Sequence, residues 1–448
     1  MKARRLVLLQ AALIALAGFW VIAPALHGDW LGRDRSFLGE NGVVRDPDGL
    51  WKIWLAPQDP EYSPLRTSLQ WLEWRLFGLD PLGYHLANAG LLLLGAVLLW
   101  RLLQKSGIRL AWLGGLALVV HPLAVETAAR IPEPGSLLAL PLLLLAALAW
   151  AENPELEIRN RKYFAAFACF VLALLCHASA ALFPILLVLH AWWRHRRVTR
   201  ADWRAIEPCF AAMLMFVVVA MCLRSYSTAD AAAGGFLSRL AADSGAIASY
   251  FLACLVPVHL APSEPRAYLP LAVLIGMGVA GLDAFIRSPR FCGLASSVRA
   301  ALLAAVGVAI AAWAVGGRAT AGDFTDNAAF WGATVDRDPD AAVAQYNLGL
   351  ALVGSHRLPE AIDHFAAAVR LRPDYAEAQS DLAIALCVAG RPAEAIPHFE
   401  QAVALNADNA QIRYNYGLAL RAVGRPGEAR AQWEAAARIL HGGHGVAQ

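Results

Sequence analysis

The chain has 448 residues, of which 58% are hydrophobic and 16% are charged, and its mean hydropathy is +0.48. Soluble domains carry about 25% charged residues, so this composition argues against a single soluble enzyme and against a disordered chain. The net charge of +3 is too small to mark a surface that binds nucleic acid.

The hydrophobic residues are distributed unevenly along the chain. Residues 1–320 contain long uncharged runs, whereas residues 342–448 contain 9 Arg, no Lys and 10 Asp or Glu. The first part therefore predicts an all-α domain that crosses a membrane several times, and the second predicts a soluble domain. We expect a membrane domain at residues 1–320, a connecting helix or half repeat at residues 321–341, and soluble repeats at residues 342–443.

The first predicted span, residues 6–26, follows a basic amino terminus. Its apolar run is longer than that of a usual signal peptide, which favours an uncleaved span. Residues 27–85 then form a polar first outer loop with two amphipathic pieces, residues 50–55 and 68–77. Tryptophan on one face of each piece predicts helices that lie on a membrane surface, and a compact soluble insert is the alternative. These tryptophans are Trp51, Trp54, Trp71 and Trp74.

Eight further segments are apolar enough to cross a bilayer. They cover residues 87–103, 110–129, 136–150, 163–176, 180–192, 209–223, 268–285 and 298–315. The two segments on either side of His177 predict a helical hairpin, and residues 247–260, interrupted by Pro257, predict a re-entrant or interfacial helix. With nine spans every inner loop is basic, which predicts a cytoplasmic amino terminus and an external carboxyl terminus.

The carboxyl-terminal part repeats with a period of 34 residues. Its units cover residues 342–375, 376–409 and 410–443, and small residues recur at the eighth, twentieth and twenty-seventh positions. Small residues there let two antiparallel helices pack closely, which is the pattern of the tetratricopeptide repeat. Such repeats stack into an α-solenoid with a concave binding face, so we predict a protein or peptide partner.

Polar residues collect at the predicted outer ends of the spans, and an ionisable group at membrane depth is a candidate functional residue. Asp34 in the first outer loop could act as a general base or bind a divalent metal. Glu126 is a second candidate, and a structural ion pair with Arg130 is the alternative for it. Candidates for contact with a phosphate or another polar ligand are Arg66, His85, Asn88, His121 and His177.

Several segments of the chain, taken in order, resemble one known family. They read GRDRSFLGENGVVRDPDGLWKIW, YSPLRTSLQWLEWRLFGLDPLGYHLAN, HPLAVETAARI, LLCHASAALFP, RAYLPL and FTDNAAFWGATVDRDPD. Together with the repeats, they are similar to the transmembrane-and-tetratricopeptide-repeat proteins. That family is related to the O-mannosyltransferases of the same architecture, and its membrane part is of the GT-C glycosyltransferase type.

The resemblance implies an inverting transfer of a sugar from a polyprenyl-phosphate donor to a hydroxyl acceptor on the periplasmic or lumenal side. It also implies that an acid of the first outer loop, here Asp34, acts as base or metal ligand. The chain departs from the family pattern because arginines flank Asp34 and because several expected polar or basic positions differ. The residues at those positions are Leu92, Ala124, Pro134 and His177.

Two functions from different classes follow from these motifs and repeats. The first is an enzyme of the hexosyltransferase class that binds membrane lipid and a lipid-linked sugar. The second is an inactive relative that anchors the repeats as a scaffold for protein–protein interaction in the cell envelope. A transporter is a third possibility, for which the membrane part shows no internal repeat. The Arg- and Ala-rich composition favours a bacterial inner membrane, with the repeats in the periplasm.

Overall fold

The computed structural model describes residues 2–31, 38, 41–55, 63–132, 134–151, 160–227 and 268–442. The chain divides into two compact units, Met1–Thr325 and Asp326–Gln448. All regular structure in the described ranges is helical, which confirms the predicted all-α class. Asp34 and residues 247–260, both singled out from the sequence, lie outside the described residues.

The first unit is a helical bundle in which the long helix Pro81–Lys105 packs against several of the others. The described helices are α1 (Lys2–Ile22), α2 (Gly42–Arg45), α3 (Gly49–Leu55), α4 (Pro64–Phe77), α5 (Pro81–Lys105), α6 (Ala111–Val120), α7 (Pro122–Ala129), α8 (Pro134–Ala151), α9 (Arg161–Leu174), α10 (Phe183–His195), α11 (Arg200–Ser227), α12 (Tyr268–Ile286), α13 (Pro289–Cys292) and α14 (Ser296–Gly322).

Four described helices are long and apolar enough to cross a membrane: Arg4–Ile22, Pro81–Lys105, Pro134–Ala151 and Ser296–Gly322. A bent pair, α6 and α7, makes a fifth if it is counted as one span. The predicted spans at residues 180–192 and 268–285 coincide with apolar helices shorter than the roughly 20 residues that a bilayer core requires. The predicted number of nine spans is therefore not confirmed.

The predicted span at residues 110–129 is broken into two helices that meet at 54°. Pro122 is the first residue of α7, and the side chain of His121 caps that helix, with Nδ1 accepting from the backbone N–H of Leu123 at 3.2 Å. Proline has no N–H for the preceding turn, so the chain ends one helix and begins another at this point. The predicted span is therefore a bent pair of helices.

A tight turn joins α9 to α10, as the sequence predicts for the segment around His177. The turn is a 3-10 helix, Ala178–Leu182, and the His177 side chain caps it by accepting from the Ser179 N–H at 3.2 Å. The two helices that this turn joins have 14 and 13 residues. His177 therefore has a local structural role in addition to its place near the other polar residues.

The tryptophans of α4 do not lie on the exposed face of the helix, whereas the sequence predicted that they face a membrane surface. Trp71 donates its indole N–H to the backbone oxygen of Asp46 at 3.1 Å, and Trp74 packs against a buried aromatic cluster. The exposed apolar residues of α4 are Leu72 and Leu76, which are 47% and 65% exposed. The short helix α3 does expose a tryptophan, since Trp51 is 72% exposed.

The second unit consists of a lead-in helix and three helix pairs. Its helices are α15 (Asn327–Arg337), α16 (Ala342–Gly354), α17 (Leu358–Leu371), α18 (Ala376–Val388), α19 (Pro392–Leu405), α20 (Ala410–Ala422) and α21 (Pro426–Gly442). One hydrophobic core runs through all three pairs, and Trp331 of α15 packs against it. The three units predicted from the 34-residue period each form one pair of helices.

The repeats share a hydrogen-bond pattern between paired helices. Gln345 Oε1 lies 2.8 Å from His364 Nδ1, and Gln379 repeats this contact with His398 at 2.8 Å. The third pair replaces them with Arg413, which donates to Gln432 at 3.1 Å. Each of these contacts joins two residues that are 19 positions apart. The contacts themselves recur every 34 residues, at positions 345, 379 and 413, so they follow the period of the sequence.

Replacement of Gly417 with alanine should destabilise the third repeat by about 1–3 kcal/mol, the usual cost of overpacking. The new Cβ would collide with the ring of Trp433, which is held in place by a 3.1 Å hydrogen bond to the Tyr414 oxygen. Hydrogen exchange of α20 and α21 measures the loss. The matched control is Gly427→Ala, where no atom lies within 4 Å of the added carbon. Equal losses in both variants would contradict the packing explanation.

Replacement of His356 with glycine should stabilise the first repeat by about 1 kcal/mol. His356 adopts a left-handed backbone with φ of 60°, and the equivalent turns of the other repeats use Gly390 and Gly424, with φ of 78° and 80°. Glycine reaches this conformation without steric cost. Thermal unfolding of the repeats measures the gain, and Gly390→Ala should give a loss of similar size. An unchanged midpoint for His356→Gly would refute the strain argument.

Candidate functional site

The first part of the candidate site is a row of polar residues on the inward face of α4. Arg66, Gln70 and Glu73 recur at helical spacing, and Gln70 and Glu73 are 2% and 3% exposed. Gln70 donates from Nε2 to the backbone oxygen of Pro132 at 2.8 Å. The Arg66 side chain lies against Gly135, where a Cβ would be 2.9 Å from Cδ of the arginine. Helix α4 therefore directs its polar face toward the segment that joins α7 to α8.

The first turns of α5 supply two more polar groups to the same region. His85 and Asn88 are 2% and 1% exposed, so both predicted ligand contacts are buried. Asn88 donates from Nδ2 to the backbone oxygen of Arg130 at 2.9 Å. His85 lies beside the backbone of Gly28, which is close to the oxygen of Phe324. The predicted residues Arg66 and Asn88 thus meet the chain between Arg130 and Gly135.

Glu126 and Arg130 form an ion pair at the end of α7. Arg130 Nη2 donates to Glu126 Oε1 at 2.9 Å, and the side chains are 18% and 10% exposed for the arginine and the glutamate. The arginine also lies 5.7 Å from the ring centroid of Phe324. This is the structural alternative predicted for Glu126, and it places a buried pair of opposite charges beside Asn88.

The two predicted histidines outside α5 make different contacts. His121 is fully buried at the bend between α6 and α7, and its ring packs edge-on against Trp313 of α14 at 4.9 Å between centroids. His177 is half-buried, and its Nδ1 lies 2.6 Å from the hydroxyl of Ser179. The Leu65 N–H donates to the Leu175 oxygen at 3.0 Å, which holds the turn before His177 against the start of α4.

Several buried polar atoms near this site make no hydrogen bond within the described part of the chain. They are Glu73 Oε1, Asn88 Oδ1 and Ser136 Oγ. All three residues are at most 3% exposed. An unsatisfied buried polar group costs about 1–3 kcal/mol, so a cluster of them is a feature to be explained by a ligand or by bound water.

The site contains two arginines and one buried carboxyl group, that of Glu73, whose neutral form is favoured. Burial raises the pKa of Glu73 to about 8, so at neutral pH this side chain is mostly protonated and can donate a hydrogen bond. With Arg66 and Arg130 it offers both donors and acceptors to a polar ligand. Among the described residues no three His, Cys, Asp or Glu side chains are grouped as metal ligands.

Three residues of the cluster were missed in the sequence: Gln70, Glu73 and Ser136. The signal for the first two was present, because Arg66, Gln70 and Glu73 follow the i, i+4, i+7 spacing of one helix face. The tryptophans of the same helix offered a competing face of similar spacing. Ser136 lies in the first turn of α8, and only the packing of that helix brings it inward.

The repeats provide a second candidate site, the first-helix face. We define it as the exposed side of α16, α18 and α20, the first helix of each pair. Its exposed apolar residues are Val343, Leu350, Val353, Val388, Tyr414 and Leu418. Stacks of such pairs present extended concave surfaces that bind partners. This face is therefore available to a partner protein.

Comparison with known proteins supports the repeats and covers only that part of the chain. Residues 340–408 and 380–443 match two family models, each described as a tetratricopeptide repeat, which confirms the repeat prediction. Thirty-four chains among solved structures match. One, the crystal structure of MamA, is 25% identical with a TM-score of 0.25, covering 25% of this chain and 66% of its own.

A second solved structure, of the MamA protein, is 24% identical with a TM-score of 0.25, and it covers 26% of this chain and 66% of its own. The chain therefore spans just under two thirds of the length of these structures. A comparison with curated proteins found no match. Tetratricopeptide repeats generally mediate protein–protein interaction, so the repeats indicate an interaction role for residues 340–443.

Proposed function

We propose that the protein is a membrane-anchored scaffold whose tetratricopeptide repeats bind a partner protein outside the cytoplasm. The observation that carries this proposal is the family match of residues 340–443 together with the exposed apolar residues of the first-helix face. Four helices with the length and composition of membrane spans support the anchor, and the bent pair α6 and α7, counted as a fifth span, gives the odd number that this orientation requires. The basic inner loops support a cytoplasmic amino terminus, and the inner membrane of a bacterium is the location that we propose.

Photo-crosslinking in living cells tests the scaffold. A photoreactive amino acid at Leu350, on the first-helix face, should form an adduct with a cellular protein. The control position is Leu405 on α19, which has the same exposed fraction of 42%. Adducts from Leu350 and not from Leu405 support the proposal. An absence of adducts from Leu350 and Leu418, in cells where the protein is correctly inserted, would overturn it.

A second candidate function is sugar transfer from a polyprenyl-phosphate donor, as the family resemblance implies. The buried polar cluster supports it, because Glu73, Asn88 and Ser136 leave polar atoms unsatisfied beside two arginines. In such an enzyme Arg66 and Arg130 would bind the anionic phosphate, and a neutral Glu73 would donate to an oxygen of the ligand. Asp34 remains the proposed base, with Glu126 held by its ion pair.

Glycan analysis separates the two functions. The glycoproteins and glycolipids of a deletion strain are compared with those of strains that carry the wild type or Asp34→Asn. A glycan that disappears on deletion and returns only with the wild type supports an enzyme in which Asp34 acts. Full restoration by Asp34→Asn would remove Asp34 from the mechanism. A deletion strain with unchanged glycans would leave the scaffold as the function.

A further inference from the structure

A cluster of arginines lies where α10 ends and α11 begins, and we call it the arginine turn. Helix α10 ends at His195, and α11 begins at Arg200. The four arginines of the turn are exposed, and none of them forms an ion pair with another described residue. They are Arg196, Arg197, Arg200 and Arg204. By sequence, Arg194 adds a fifth positive charge at the end of α10.

The acidic residues of the same segment do not balance these arginines. Asp202 is 3% exposed, and its Oδ2 accepts hydrogen bonds from the backbone N–H and the hydroxyl of Thr199, both at 2.7 Å. Its carboxylate is therefore turned into the protein, where it caps the start of α11. Glu207 is exposed further along α11, and within the described part of the chain it is not ion-paired. The turn thus presents an excess of positive charge at its surface.

The start of α9 lies beside the arginine turn. The Tyr163 hydroxyl donates to the backbone oxygen of Ala205 at 3.0 Å, which holds the first turn of α9 against α11. Arg161 and Lys162 precede this tyrosine, and Arg159 precedes them. Three glutamates of the loop before α9 equal these three cations in number, and they lie outside the described residues: Glu152, Glu155 and Glu157. The excess positive charge is therefore that of the turn itself.

Both helices that meet at this turn have an exposed apolar side that ends in a tryptophan. On α10, Ile185, Leu189 and Trp192 follow the spacing i, i+4, i+7, and they are 47%, 55% and 51% exposed. On α11, Trp203 is 49% exposed, and Leu214 continues the same side of the helix at 61%. Tryptophan is enriched where a membrane meets water, between the apolar core and the charged headgroups. The order of leucine, tryptophan and arginine along each helix therefore indicates a membrane–water boundary at the turn.

Arg196 contacts the tryptophan at the end of α10. Its guanidinium carbon lies 5.9 Å from the ring centroid of Trp192, and its backbone is left-handed, with φ of 54°. A cation–π contact of this kind does not use up the N–H groups of an arginine, which can still bind a phosphate. An arginine of another predicted inner end, Arg287, is by contrast paired with Asp283. The arginine turn thus offers phosphate donors directly beside an apolar surface.

We propose that the arginine turn binds the headgroup of an anionic phospholipid, whose acyl chains lie along the exposed apolar sides of α10 and α11. This inference rests on the membrane anchor of the proposed function and names a lipid that the anchor binds. Basic sites between membrane helices bind anionic headgroups, and each lysine or arginine near the surface adds to the attraction. The apolar sides select a lipid over a free phosphate, because only a lipid covers them.

Native mass spectrometry of the full chain in detergent tests the site. The probes are dioleoyl-phosphatidylglycerol and dioleoyl-phosphatidylcholine, which have the same acyl chains and differ in headgroup charge. The first molecule of phosphatidylglycerol should bind about tenfold more tightly than phosphatidylcholine. In nanodiscs of phosphatidylcholine, added phosphatidylglycerol should slow hydrogen exchange at the end of α10 and the start of α11. Equal affinity for the two lipids would overturn the proposal, and so would equal protection of this segment by inorganic phosphate alone.

Matched pairs of variants locate the binding. Arg197→Gln with Arg200→Gln should weaken binding of phosphatidylglycerol about tenfold and leave binding of phosphatidylcholine unchanged. Loss of the Arg200 charge does not weaken α11, because a cation is unfavourable in the first turn of a helix. The control is Arg109→Gln with Arg290→Gln, which removes the same charge from two exposed arginines of other predicted inner loops. Equal losses in the two pairs would show that net charge alone attracts the lipid, and would overturn the proposal.

Failure of the lipid site is distinguishable from failure of the scaffold. Crosslinking from Leu350 reports partner binding by the repeats, whereas lipid binding is measured on the purified chain without a partner. Adducts from Leu350 together with no preference for phosphatidylglycerol would reject the lipid site and leave the scaffold. A preference for phosphatidylglycerol without any adduct from the repeats would reject the scaffold and leave the lipid site.

Discussion

Replacement of Arg130 with methionine should lower the free energy of unfolding by about 3–5 kcal/mol. The guanidinium group donates to Glu126 at 2.9 Å, and Glu126 is 7% exposed as a residue. Without the arginine, a buried carboxylate would lose an opposite charge at hydrogen-bond distance, which is costly in a low-dielectric interior. Thermal or denaturant unfolding of the purified protein in detergent measures the loss.

A double-mutant cycle assigns that cost to the ion pair. Glu126→Gln combined with Arg130→Met removes both charges, and it should recover at least about 2 kcal/mol relative to Arg130→Met alone. Methionine keeps part of the apolar contact that Arg130 makes with Phe324. If the double variant were less stable than Arg130→Met, the pair would not be the source of the loss. A loss below about 1 kcal/mol would indicate a solvated surface pair instead.

The same pair bears on the choice between the two functions. An enzyme that binds a phosphate at Arg130 would lose donor binding in Arg130→Met and in the double variant alike. A scaffold would show restored partner binding in the double variant together with its restored stability. The cycle therefore separates a structural from a ligand-binding arginine.

The repeats could be predicted from the sequence because their information is local and periodic. Gly349 and Gly417 mark the eighth position of their units, and in the structure each faces an aromatic ring of the paired helix, Phe365 or Trp433. The 34-residue period thus encodes both the helices and their partners. The Glu126–Arg130 pair was also visible, since four residues along a helix bring two side chains together.

The polar cluster could be predicted only in part, because most of its contacts are long-range. Asn88 meets the Arg130 oxygen, and Gln70 meets the Pro132 oxygen, across helices that the sequence does not orient. Helix α4 has one face of tryptophans and one face of polar residues at similar spacing. The sequence analysis used the tryptophan face and therefore did not identify Glu73. The bend at His121 was marked by Pro122, yet the apolar run through residues 110–129 favoured one straight span.

Replacement of Glu73 with glutamine should stabilise the protein at high pH and leave it nearly unchanged at low pH. The pKa of Glu73 is raised by burial to about 8, against an ordinary value of 4.5. The folded state therefore keeps a proton that the unfolded state loses above pH 4.5. Stability must fall as the pH rises from 4.5 toward 8, and it levels off above 8. Glutamine does not titrate, so the stability of the Glu73→Gln variant does not fall in this pH range for this reason.

The expected gain for Glu73→Gln is about 2–4 kcal/mol at pH 8.5 and less than about 1 kcal/mol at pH 5, measured by unfolding in detergent. Tyr84 on the neighbouring helix α5 does not remove the effect, because its hydroxyl donates to the Gly78 oxygen at 2.9 Å. The control is Glu377→Gln, an exposed carboxylate of the repeats, which should give no pH-dependent gain. A pH profile shared by both variants would show that Glu73 is not the buried proton site. If Glu73→Gln shows the predicted pH profile and also loses sugar transfer, neutral Glu73 is a hydrogen-bond donor to the ligand. If it shows the profile while sugar transfer or partner binding stays intact, Glu73 is a buried group of the membrane anchor.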